Sequence, residues 1–80
     1  MSDSTVHGTV HGMVKVWHAE EGWGVLSSPS LPDGHDAWAH FSDIIADGYR
    51  SLRAGERVTF ELVRREQDGF QYVAENVRSL

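Results

Sequence analysis

The sequence predicts an all-β fold, a small closed or partly open barrel of five short strands. Three observations lead there. Short β-branched and aromatic runs recur between turn signals, at residues 13–18, 23–26, 37–41, 57–62 and 72–78. No segment sustains the 3.6-residue period of an amphipathic helix. Finally, 80 residues with 40% hydrophobic side chains supply one core and no second domain. Closing the strands on themselves removes exposed edges, which favours a barrel over an open sheet.

Residues 1–11 are polar, contain glycine and lack periodicity, and are expected to form a flexible tail ahead of a domain spanning 12–80. The first strand, 13–18, places Lys15 and Trp17 on one face by alternation. Ala19, Glu20, Glu21 and Gly22 form a tight turn, and residues 23–26 return as the second arm of a hairpin. Pro29, Pro32 and the Asp33-Gly34 pair mark residues 27–36 as a loop. In the third strand, 37–41, Trp38 and His40 share one face and Ala37 and Ala39 the other. Ser42 is suited to cap a single helical turn that includes Ile44 and Ile45. In the fourth strand Val58, Phe60 and Leu62 face the core, while Arg57, Thr59 and Glu61 face water. A polar turn through Gln67, Asp68 and Gly69 leads to the last strand.

Composition excludes several functions. Without cysteine there is no disulfide framework, thiolate metal site or cysteine nucleophile. No more than three apolar residues run together, so no membrane span or signal-peptide core is present in the sequence, and a cytoplasmic location is expected. His7 and His11 have a helical metal-ligand spacing, but Gly8 and Gly12 disfavour a helix there. Neither metal nor cofactor is expected. No nucleophile, phosphate-cradling glycine loop or positioned acid–base pair emerges, so no catalytic residue is assigned and the protein is not expected to be an enzyme. The net charge of −5 is unusual for a polyanion binder. It is unevenly spread: up to residue 41 Lys15 stands alone against Asp3, Glu20, Glu21, Asp33 and Asp36, whereas Arg50, Arg53 and Arg57 cluster later.

The placement of the large rings is the informative feature. Gly22 and Gly24 flank Trp23, and Ala37 and Ala39 flank Trp38. Small residues on the inside let a thin barrel close while the rings point outward. Trp23, Val25, Trp38 and His40 then line one outer surface, continued by Lys15 and Trp17. Such rings offer stacking platforms for unpaired bases. Spacing alone leaves a second reading open, in which the tryptophans belong to the core.

From Gly12 to Leu80 the chain resembles the cold-shock domain family of single-stranded nucleic-acid-binding proteins. Gly12-Met13-Val14-Lys15 resembles the family's opening strand, Gly22-Trp23-Gly24-Val25-Leu26 its first ribonucleoprotein motif, and Asp36-Ala37-Trp38-Ala39-His40-Phe41-Ser42 its second. Gly48-Tyr49-Arg50-Ser51-Leu52 is similar to its aromatic loop, and Ala74-Glu75-Asn76-Val77 to its closing strand. The resemblance implies a five-stranded OB-fold barrel that binds single-stranded RNA or DNA as a monomer. It further implies a role as an RNA chaperone or a regulator of transcription or translation, with no membrane or small-molecule substrate. Carried over residue by residue, the binding surface comprises Lys15, Trp17, Trp23, Trp38, His40, Phe41 and Tyr49. Trp23, Trp38 and Tyr49 stack on bases, His40 stacks or donates a hydrogen bond, and Lys15 neutralises phosphate.

The departures from the family pattern predict a weaker or narrower binder. Val16 and Val25 stand where the family has a tryptophan and a phenylalanine, and Glu21 where it has a lysine. His18 replaces an asparagine, and the 27–36 loop and the 67–71 turn are longer than the pattern. At about 1–3 kcal/mol per stacked base, two lost rings outweigh larger rings elsewhere. The alternative reading is a protein-interaction module on the same barrel with reduced nucleic-acid affinity, favoured by Glu21 and the acidic total.

Overall fold

A computed structural model describes residues 6–46 and 51–80 of the chain. Strands β1 (Val6–His18), β2 (Trp23–Ser27), β3 (Ala37–His40), β4 (Arg57–Gln67) and β5 (Phe70–Ser79) close into a barrel in the order β1-β2-β3-β5-β4. Every neighbouring pair is antiparallel except β3 and β5, which run parallel. The anticipated five-stranded barrel is therefore the observed one.

The interior follows the alternation. Val14, Leu26, Val58, Phe60, Leu62, Ala74 and Val77 fill the barrel, with Ala37 and Ala39 contributing the small inner surface of β3. β4 and β5 join through Asp68 and Gly69, both with positive φ, the pairing of a two-residue type I′ hairpin. Their opposite partners, Gln67 and Phe70, end the ladder.

Three local differences from the sequence reading have physical causes. β1 begins at Val6, ahead of the expected boundary at Gly12, because β4 supplies a partner: Thr9, Val10 and His11 pair with Glu61, Phe60 and Thr59. Val10 is buried in the core, so the 1–11 tail does not hold for this segment. Second, the register of β1 against β2 shifts between Val14 and Val16, leaving Lys15 as the extra residue of a bulge. A bulge reverses the in–out alternation beyond it, which parity counting from Lys15 cannot anticipate. Third, the helical turn is a 3-10 turn at Phe41–Asp43 whose cap is His40, not Ser42. The His40 ring accepts from the Ser42 N–H and Asp43 Oδ2 accepts from the His40 N–H at 3.1 Å, a capping box with an imidazole in the usual hydroxyl's place.

Gly24 is a point of close approach between β1 and β2. A Cβ there would collide with the Val16 carbonyl oxygen and the Trp17 ring, so only glycine lets the two backbones meet with the indole between them. Gly24→Ala is expected to lower unfolding stability by about 1–3 kcal/mol, the usual cost of overpacking. Denaturant titration checks this, and unchanged stability would mean that Trp17 does not lie across Gly24.

Candidate nucleic-acid interface

The outer surface of β2 and β3 is set by their register, which places Trp23 opposite His40 and Val25 opposite Trp38. With Gly24, Leu26, Ala37 and Ala39 inside, these four side chains face out. The Trp23 and Trp38 rings lie 6.4 Å apart with planes 20° from parallel, and Trp38 and His40 lie 5.9 Å apart at 18°. The row continues at both ends. His18, opposite Trp23 on β1, tilts against it at 4.4 Å, and Phe41 tilts against His40 at 4.5 Å. The result is a row of half-exposed rings, His18, Trp23, Trp38, His40 and Phe41, with Phe41 the most open at 44%.

Three of the rings are held by local devices. Gly22, at φ +81°, turns the chain into β2, and its Cα forms the seat of Phe41: a Cβ there would lie 2.9 Å from the phenyl Cδ1. The Phe41 N–H donates to the Gly22 carbonyl at 2.8 Å, locking the 3-10 turn to the hairpin. Trp23 Nε1–H donates to Glu21 Oε1 at 2.9 Å, so the acid beside the platform fixes the indole's orientation. His40 Nδ1 is engaged by Ser42, at 2.8 Å from its hydroxyl and 3.3 Å from its N–H, so Nε2 is the ring nitrogen left for a ligand.

Trp38 sits at the centre of a continuous outward rung. Val16 pairs with Val25, Val25 with Trp38, Trp38 with Val73, and Val73 with Val63, so the rung crosses all five strands. Val25, Val63 and Val73 are buried although they lie outside the main core cluster. Trp38 flanks two of them and is itself half-buried, with its Nε1–H enclosed and without an acceptor among the described residues. The ring thus lies between the two sequence readings, half-exposed on the outer surface and bordering the buried Val25 and Val73.

Two expected site residues are placed differently. Trp17 pairs with Gly24 and packs against the core cluster, on the opposite face from Trp23, because the bulge at Lys15 reversed the alternation. Lys15 is exposed, but its ammonium lies 2.9 Å from Asp36 Oδ2 rather than free for phosphate. Tyr49 lies outside the described residues. The sequence reading missed His18 as a platform ring and Asp36 as the partner of Lys15. A signal for His18 existed: a four-residue turn after it sets it directly across from Trp23.

These observations coincide with a match to the family model described as "'Cold-shock' DNA-binding domain", over residues 10–80. The chain belongs to the cold-shock domain family. It is 43% identical to the cold shock-like protein CspC of Bacillus cereus over 54 residues, 68% of this chain and 78% of that one. To the cold shock protein ScoF of Streptomyces coelicolor it is 41% identical over 66 residues, 82% and 91% of the two chains. To the cold shock-like protein CspG of Shewanella violacea it is 38% identical over the whole of both chains. The barrel is accordingly an OB-fold, and this cold-shock domain is a single-stranded nucleic-acid binder with an RNA chaperone-type function.

The Lys15–Asp36 pair yields a test. An exposed ion pair is worth about 0–1 kcal/mol, so a phosphate can displace Asp36, but at a cost. Asp36→Asn is expected to raise oligothymidine affinity a few-fold. It should also steepen the log–log salt dependence by about 0.7, because the counterion released from the phosphate is no longer offset by one taken up at the displaced Asp36. An unchanged slope in a salt titration would remove Lys15 from the interface.

Proposed function

We propose that the cold-shock domain binds unpaired bases on the row formed by Trp23, Trp38 and His40, extended by Phe41 and His18. One observation carries this reading: near-parallel, half-exposed rings on the outside of β2 and β3, positioned by small residues on the inside. Rings of one orientation let successive bases stack without reorienting the strand between them. His40 Nε2 supplies a hydrogen-bonding atom beside that stack. Lys15 meets phosphate by exchange from Asp36, and Tyr49 is assigned to the same surface by the family resemblance alone. Trp17 acts from beneath, by holding β1 against β2.

This assignment implies a binder that relies on stacking more than on charge. Among the described residues the Lys15 ammonium is paired with Asp36, and the carboxylates of Glu21 and Asp43 are engaged by Trp23 and His40. The protein is proposed to be a non-catalytic, monomeric, cytoplasmic RNA chaperone that also acts in transcription or translation control.

The test is quenching of tryptophan fluorescence by oligothymidine or U-rich RNA, with a duplex control. Saturable quenching by single strands is expected, with a log–log salt slope of about −0.7 to −1.4, one or two phosphates. Trp23→Ala should reduce affinity between about five-fold and about 150-fold, the equivalent of one stacked base at about 1–3 kcal/mol. It should leave the fold intact, because the Trp23 indole is half-exposed and held by a surface hydrogen bond. A slope near −6, or full affinity in Trp23→Ala, would place the binding surface elsewhere.

A further inference from the structure

The face of the barrel formed by β1, β4 and the end of β5 has the opposite character from the ring platform. Outward positions there are Met13, paired with Arg57, and His11, paired with Thr59, which in turn pairs with Arg78. Their neighbours Val10, Val14, Val58 and Val77 all point into the core, which fixes the outward direction. An open groove of about 540 Å³ runs over this face, walled by His11, Met13, Ser28, Pro29, Arg57 and Leu80. Its size falls in the range of natural ligand clefts, about 300–1,000 Å³.

Both walls are fixed in advance. Ser28 Oγ donates to the His11 carbonyl at 2.6 Å and accepts from the Ser30 N–H at 3.1 Å, pinning the 27–36 loop to β1. On the other side the Leu80 N–H donates to the Arg57 carbonyl at 3.0 Å. The floor and rim are apolar and open, with Met13 41% and Leu80 69% exposed. Arg57 and Arg78 occupy diagonal positions on adjacent strands, and neither makes an ion pair among the described residues. The nearest acid in sequence, Glu56, is already engaged by the Arg53 N–H and the Ser79 hydroxyl.

We propose that this groove docks an extended acidic segment of a protein partner, with apolar side chains seated over Met13, Pro29 and Leu80 and carboxylates meeting Arg57 and Arg78. Charge complementarity selects this occupant. A chain of net charge −5 carries here two guanidiniums without ion-pair partners among the described residues, beside an apolar channel, a combination suited to alternating acidic and apolar side chains. A nucleic-acid strand would need rings to stack on, and the walls offer only His11. A contact with a second copy would bring together two chains that each carry a net charge of −5. The proposal is independent of the ring platform, so nucleic acid and peptide bind together.

The test measures fluorescence anisotropy of a labelled hexapeptide of alternating aspartate and leucine with the full chain, and of a lysine–leucine counterpart. Saturable binding of the acidic peptide alone is expected, undisturbed by saturating oligothymidine. Arg57→Glu should weaken it about ten-fold or more while leaving oligothymidine binding unchanged. Leu80→Asp, at an exposed position, serves as the second variant if Arg57→Glu fails to fold, and is expected to weaken peptide binding likewise. Absence of saturation, equal binding of the lysine peptide, or displacement by oligothymidine would each overturn the proposal. So would loss of oligothymidine affinity in Arg57→Glu, which would make the groove a continuation of the nucleic-acid path.

Discussion

The pairing of β2 with β3 governs which side of the barrel every ring occupies. With Val25 opposite Trp38 and Trp23 opposite His40, Gly24 and Ala39 share the inside and three large rings share the outside. A slip of one residue would exchange the two sets, burying two indoles in a barrel too narrow for them and exposing glycine and alanine. The hydrophobic pattern therefore specifies register and binding surface in one step. Small inner residues are what make outer rings structurally permissible.

This coupling explains what was readable from the chain and what was not. The faces of β2 and β3 follow from simple alternation, because Gly24, Ala37 and Ala39 differ so much in size from their neighbours. The Asp68-Gly69 turn is equally local: both residues adopt the positive φ that a two-residue hairpin demands. The misplacement of Trp17 came from the bulge at Lys15, which depends on how β1 bends between β2 and β4 and leaves no mark in composition. The start of β1 at Val6 is likewise tertiary. Its polar, glycine-containing segment pairs because Thr59, Phe60 and Glu61 of β4 offer it an edge, not because it favours strand on its own. His40 as a cap was unreadable for a different reason, since imidazole is an uncommon cap and its role rests on the adjacent Ser42 and Asp43.

Electrostatics divide the molecule. On the ring side Lys15 is held by Asp36 and Glu21 fixes Trp23, so charge among the described residues there serves orientation before attraction. Glu21 has opposing effects: it repels phosphate, yet it removes rotational freedom from an indole that must lie flat to stack. Preorganisation lowers the entropy lost on binding. Lost cationic attraction raises dependence on stacking, which is less sensitive to salt. The groove side reverses this arrangement, with Arg57 and Arg78 outside ion pairs among the described residues.

Trp38 is where folding and binding make competing demands on one side chain. It flanks Val25 and Val73, and shielding a valine from water is worth about 1.5–3 kcal/mol, so the ring's inner edge belongs to the stability of the barrel. Its enclosed Nε1–H, lacking an acceptor among the described residues, costs about 1–3 kcal/mol in return. Trp23 carries neither role: its donor is satisfied by Glu21 and it covers no comparable rung. The two indoles, near-parallel and adjacent, therefore divide the work. Trp23 can be tuned for ligand with little structural consequence, whereas any change at Trp38 alters the valines on both sides of it.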